Sequence, residues 1–198
     1  MIKYDNMEVK SLKERRGGSS MDKAVVEKLV ETHGFTDFKW IRGEDIAVGQ
    51  WVRFKCRLMC STYGTKPVCP PNMPPIPECE RFFKEYDHAL IIRIAKKAHH
   101  RDADSEKFKI LDDDLLSLEK ALFYKGYHKV MALPATICSR CESCAVTAEN
   151  CHQKDKARPT PEALGVDVFG TVRKIGYPVE VLSSYEQQMN RYIFVMVQ

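Results

Sequence analysis

Apolar positions along the chain fall into two periods. Val25, Val26, Leu29 and Val30 recur at helical spacing, with Ser19 or Ser20 as cap and Gly34 as stop. Phe108, Leu111, Leu115, Leu118 and Leu122 step by three and four, which predicts a long amphipathic helix ended by Gly126. Leu164, Val168, Val172 and Ile175 mark the buried face of another, opened by Thr160-Pro161 and closed by Gly176 and Pro178. A shorter helix is expected over residues 78–86. An apolar run of strand length covers residues 89–94, and strands are also expected over 129–133, 179–182 and the nearly all apolar 192–197. Residues 35–48 read as two short strands around a turn at Arg42-Gly43-Glu44-Asp45. Strand, long helix, strand over residues 89–133 predicts a βαβ unit with parallel strands and a right-handed crossover. The expected fold is therefore α/β: a mixed sheet of about five strands with packed helices and two cysteine-rich metal loops. It would occupy residues 21–198 as a single domain, behind a flexible arm of residues 1–20.

Cysteine adds the chemistry. Of eight cysteines, four lie close together as Cys138, Cys141, Cys144 and Cys151, the first three in consecutive C-x2-C steps. A structural zinc site asks for two separate C-x2-4-C knuckles around one tetrahedral ion. Consecutive steps instead wrap a short loop around a larger object, as peptides do around three corners of a cubane while a distant cysteine takes the fourth. Cys151 is that distant candidate, followed by His152 rather than proline. The looser set Cys56, Cys60, Cys69 and Cys79 precedes it. Cys56 and Cys60 are one helical turn apart, Tyr63-Gly64-Thr65 turns the chain, and Cys69-Pro70-Pro71 begins a rigid proline-rich stretch. Cys79 reads equally as a ligand or as an ordinary helix residue. Zinc, and disulfides or free thiols, are the alternatives for both sets. The run after residue 133 places the second set at the carboxyl end of a strand, where α/β sheets usually carry their sites.

Charge and composition narrow the classes. Thirty-one basic against 27 acidic residues leave a net charge of +4, spread along the chain. That does not recommend a nucleic-acid role. No apolar stretch approaches the ~20 residues of a membrane span, and the first residues lack the apolar core of a secretory signal. A cytoplasmic protein is expected. Lys154, Lys156 and Arg158 would favour the reduced form of an anionic cluster beside them, or be solvated helix charges. His33 reads as a helix C-terminal charge partner, and His99 and His100 as solvated loop residues.

Two blocks carry a resemblance. Cys56-x3-Cys60 with Tyr63-Gly64, Cys69-Pro70-Pro71 and Tyr86 form the first. Cys138, Cys141, Cys144 and Cys151 with the run Ala157-Arg158-Pro159-Thr160-Pro161-Glu162-Ala163-Leu164-Gly165-Val166-Asp167-Val168 form the second. Together they resemble DUF2284, a prokaryotic family of predicted metal-binding proteins, over about residues 21–198. The resemblance implies bound metal, with iron–sulfur as the expected form, in mainly anaerobic organisms. It implies no particular reaction.

Three functions are consistent with these residues. One is a redox or electron-transfer protein carrying one or two [4Fe-4S] clusters and meeting a redox partner protein. Another is an enzyme whose three-cysteine cluster leaves an iron open, with Tyr63, Arg158, Glu162 or Asp167 as acid, base or substrate ligand. The last is a zinc-stabilised binding module. No phosphate-binding glycine loop, Gly-x-Ser-x-Gly elbow or zincin helix is present in the sequence.

Overall fold

A computed structural model describes residues 21–97, 105–184 and 187–198. The expected N-terminal arm, and His99 and His100, lie outside the described residues. The elements are α1 (Lys23–Thr32), β1 (Phe38–Ile41), α2 (Gln50–Met59), α3 (Ile76–Lys84), β2 (Ala89–Lys97), α4 (Ser105–Tyr124), β3 (Met131–Leu133), α5 (Val168–Lys174) and β4 (Gln188–Met196). One-turn 3-10 helices at Gly43–Asp45 and Glu162–Leu164 complete them.

β4 explains the sheet. Its residues 192–196 are all buried, so it needs a pairing partner on each edge and a covering layer on each face. It takes the interior of a four-stranded sheet in the order β1-β2-β4-β3. All three ladders are antiparallel. β2 and β3 consequently run in the same direction, as the strand–helix–strand pattern predicts, but β4 is threaded between them and they never pair. The mixed sheet of about five strands is thus corrected to an antiparallel sheet of four. The expected strand at 179–182 is irregular chain, with Val179 in the core layer but Val181 83% exposed. In residues 35–48 only β1 forms as a strand, followed by the 3-10 turn, and Val48 makes a single bridge to Val166.

Alternation on the strands divides the core in two. Leu90, Ile92, Ile193 and Val195 face α1 and α4, where Val26, Val30, Leu115, Leu118 and Leu122 close the layer. Ile91, Leu133, Phe194 and Met196 face the other way onto Phe83 of α3, Leu164 of the second 3-10 turn and Val172 of α5. α1 is capped by Asp22 rather than by a serine, and His33 turns its Nδ1 back to the Leu29 carbonyl at 2.8 Å. The helix expected from residue 164 onward is broken. Gly165, at φ 82°, ends the 3-10 turn, and α5 starts afresh with Asp167 capping the Gly170 amide.

Candidate metal centre

The first three cysteines are set by α2 and the turn that follows it. Cys56 lies in the last turn of α2, and Cys60 is its C-cap, with its amide on the Cys56 carbonyl. The Cys60 sulfur is exposed and meets the Thr62 hydroxyl at 3.1 Å. The chain then folds back through Tyr63 and Gly64, whose amide donates to Pro70 O at 2.9 Å. Cys69 is buried inside that fold, in a turn held by Cys69 N to Lys66 O and Asn72 N to Cys69 O. The three thiols lie near enough for their charges to act on one another. Burial first, then the Cys60 and Cys56 charges, push the Cys69 thiol up to about 11. Burial and Cys60 also raise Cys56, against the pull of Arg53. Cys60 moves the other way, its thiolate accepting from the Thr62 hydroxyl and amide.

Cys79 is elsewhere. It sits in α3 at 2% exposure, inside the core layer with Phe83 and Tyr86, its thiol toward the Pro74 carbonyl at 3.4 Å. Burial raises its thiol, and the charged neighbours acting on it are Arg53 and Glu78 rather than another cysteine.

Cys138, Cys141, Cys144 and Cys151 are half-buried in the irregular stretch between β3 and Pro161. Side chains from the helical layer tie this stretch down. Arg140 pairs with Asp113 of α4, and Arg158 forks onto Glu119 of α4 with Nη2 to Oε1 at 2.6 Å and Nε to Oε2 at 3.0 Å. Glu119 also accepts the Ala132 amide of β3 at 2.8 Å. Burial raises Cys138, while the Arg140 amide and guanidinium and the Lys66 ammonium oppose it.

The two sets meet. Cys138 contributes to the field at Cys69, and Lys66 acts on both. Asn72 clamps the turn of the first set to the loop of the second, donating from one Nδ2 to Lys66 O and to Val146 O, each at 3.0 Å. Val146, two residues after Cys144, has φ 67°. Among the described residues, no three Cys, His, Asp or Glu side chains are gathered tightly enough to hold a single metal ion.

Against this arrangement the family comparison is decisive. The family model described as predicted metal-binding protein (DUF2284) matches residues 39–197, well over half of the chain and all eight cysteines. The chain belongs to the DUF2284 family. No curated protein and no solved structure matches it. Among the described residues, no helix of this DUF2284 chain is long and apolar enough to cross a membrane.

Several residues around the DUF2284 centre carry no signal in the sequence. Arg53 reaches from α2 to the carbonyls of Pro74 and Ala163, at 3.2 and 3.1 Å, while its Nε is buried without a hydrogen-bond partner among the described residues. Lys66 and Asn72 read as ordinary loop residues, and Glu119 as a solvated helix position. Arg158, expected beside a cluster, as a solvated charge or as a substrate ligand, is paired with Glu119 of α4. Asp167 is engaged as the cap of α5. Glu162 and Asp167 line a groove of about 530 Å³ that α2 closes with Trp51, Cys56 and Cys60. Dense packing pushes the Glu162 carboxyl above its usual range, although the side chain keeps an exposed edge on the groove.

Proposed function

We propose that the chain is an iron–sulfur protein of redox type. Cys138, Cys141, Cys144 and Cys151 would hold one [4Fe-4S] cluster, and Cys56, Cys60 and Cys69 a second. Such clusters supply single electrons at potentials set by burial, charge and hydrogen bonds to sulfur. The observation that carries the reading is the convergence of the two cysteine sets, through Cys69, Cys138 and the Asn72 clamp. A lone zinc draws its thiolates to about 2.3 Å from one point and takes them from two separate knuckles, whereas Cys138, Cys141 and Cys144 follow one another in consecutive C-x2-C steps. Thiolates gathered around a cubane sit further apart. Lys66 and Arg140 offset negative charge on the Cys138 side, and the Thr62 hydroxyl does so at Cys60.

The protein purified without oxygen should be brown, absorb broadly at roughly 400 nm and hold about eight irons and eight sulfides per chain. Colourless protein containing zinc and no sulfide would refute the proposal. Cys79→Ser should leave the iron count unchanged, because its thiol is a core group rather than a ligand. A loss of iron on that substitution would restore Cys79 to the first set.

A second reading is favoured by one feature. With Cys79 in the core, the first set has three thiols, and it borders the groove of about 530 Å³ carrying Glu162. A cluster with three cysteine ligands keeps an iron corner for substrate, so this set suits an enzyme. EPR of the reduced protein tests it: a small ligand such as cyanide should perturb one cluster signal and leave the other unchanged.

A further inference from the structure

α2 is barely part of the fold it belongs to. Of its ten residues only Val52 is buried. Trp51, Phe54 and Leu58 stand at i, i+3 and i+7, with Lys55 and Met59 filling the same face at i+4 and i+8. Their exposures are 49% for Trp51, 53% for Phe54, 74% for Leu58 and 78% for Met59. Large apolar side chains grouped like this mark an interaction surface rather than the scattered exposure of an ordinary monomer. Nothing in the described fold covers them.

Charge says what kind of partner fits. From Ile46 to Pro77 the chain has no acidic residue, and its charged groups are Arg53, Lys55, Arg57 and Lys66. Arg53 is turned inward onto carbonyls, and Lys66 stands between the cysteine sets. Lys55 and Arg57 are exposed beside the apolar residues, Lys55 with its ammonium 5.0 Å from the Trp51 ring centre. Across the groove, Asp167 directs its carboxylate to the Gly170 amide. On α2 itself the rim is basic, with Glu162 and the engaged Asp167 lying across the groove. An apolar centre with a basic rim complements an acidic face, which acts mainly on encounter rate and orientation.

We infer that the Trp51–Phe54–Leu58 face of α2, rimmed by Lys55 and Arg57, is the docking site of an acidic electron-carrier protein. The inference rests on the redox reading, because its force comes from the same helix holding Cys56 and ending at Cys60. A carrier seated there would lie against the exposed Cys60 side of the first set.

The experiment titrates the full-length, anaerobically purified protein with an acidic flavodoxin. Binding is read from tryptophan fluorescence, to which exposed Trp51 contributes, and from calorimetry. Binding should weaken at least tenfold as salt rises from low to physiological strength. Leu58→Glu, and separately Lys55→Glu with Arg57→Glu, should each weaken it about tenfold or more at low salt. All three positions are exposed, so circular dichroism and iron content should match the parent. Equal binding by parent and variants, or no binding by the parent, overturns the inference. So does self-association abolished by Leu58→Glu, which would make the face a contact between copies. Tighter binding to duplex DNA or phosphatidylglycerol vesicles than to the flavodoxin overturns it as well. Failure of the redox reading shows up separately, as absence of iron and sulfide in a parent protein that still binds the carrier.

Discussion

The Glu119–Arg158 pair is the strongest quantitative test of how the cysteine loop is held. The two side chains are 14% and 21% exposed, and the guanidinium meets the carboxylate through Nε and Nη2. The carboxylate also takes the Ala132 amide of β3. Glu119→Ala therefore has two effects. It leaves the Arg158 charge with only the Asp155 and Ala157 carbonyls, and it strands a backbone donor in the sheet. Breaking a buried pair from one side costs about 3–5 kcal/mol, and an orphaned buried donor about 1–3 kcal/mol. Both side chains retain some solvent, so the pair falls below the fully buried range at about 2 kcal/mol, and with the stranded amide a combined loss of about 3 kcal/mol is expected. Arg158→Ala should cost less, because Glu119 keeps the Ala132 amide.

Urea unfolding of the metal-free chain reads this directly, as a shift in midpoint at unchanged slope. For a chain of this size the same loss lowers Tm by about 6–12 °C. The double variant should cost clearly less than the sum of the two singles, because after one partner is gone the other has little left to lose. A Glu119→Ala loss below about 1 kcal/mol, in the range of a surface ion pair, would show that the pair does not anchor the loop. Additive singles would show the same.

Other expectations are simpler. Leu118→Ala removes a side chain of zero exposure under the sheet and should cost about 2–5 kcal/mol in urea unfolding. A methyl group on Gly43 would run into the Phe83 and Tyr86 carbonyls, and the Gly43 amide is bonded to the latter at 2.9 Å. Gly43→Ala should therefore lower stability by about 1–3 kcal/mol, seen as a reduced Tm. Thiolate is the alkylating nucleophile and forms only above a thiol's pKa. At pH 9 iodoacetamide should modify exposed Cys60, whose pKa is lowered from 9.0, ahead of Cys69. With its pKa at about 11, Cys69 is about one per cent thiolate at pH 9 and should become reactive only as pH rises toward 11. Peptide mass mapping of the metal-free chain decides it, and equal rates at pH 9 would contradict the burial of Cys69.

α1 and α4 were legible in the sequence because each carries its own period. α4 shows this best, with Leu115, Leu118 and Leu122 all fully buried. α2 was not predicted over its length, and the helix expected from residue 164 breaks at Gly165. The sheet order was not legible either. Residues 89–94 and 129–133 flank a helix, and local pattern alone pairs them. That β4 lies between them depends on an apolar run some sixty residues further on, which must be buried on both edges and has only these partners available. Alternation also fails at 179–182, where Val-Glu-Val-Leu has the pattern of a strand but joins neither edge of the sheet, β1 or β3. At the site, cysteine spacing announced the thiols, and Cys79 stands apart from them inside the core layer with Phe83 and Tyr86. The clamps could not be read, since Asn72, Lys66 and Glu119 gain their roles only from residues brought alongside by the fold.

The stretch between β3 and Pro161 has no regular structure among its residues, and irregular loops of that length are uncommon in compact domains unless they do something. Ordering it costs about 1–2 kcal/mol per residue, and none of its four cysteines is buried in either core layer. Its fixings lie at particular points: Arg140 to Asp113 near the start, Val146 to Asn72 in the middle, and Arg158 to Glu119 at the end. Between them the cysteine backbone is held by little more than short turns, such as Thr147 N to Ala145 O and Cys151 N to Ala148 O. A loop anchored at these points leaves the final positions of its thiols to be set by what they bind. That is what an inorganic core with several thiolate bonds requires, since its own binding free energy completes the ordering. The same logic makes the anchors separable from the thiols. Glu119 variants should weaken the fold before metal is added, whereas substitution of Cys138, Cys141 or Cys144 should leave the metal-free fold nearly unchanged and remove the iron.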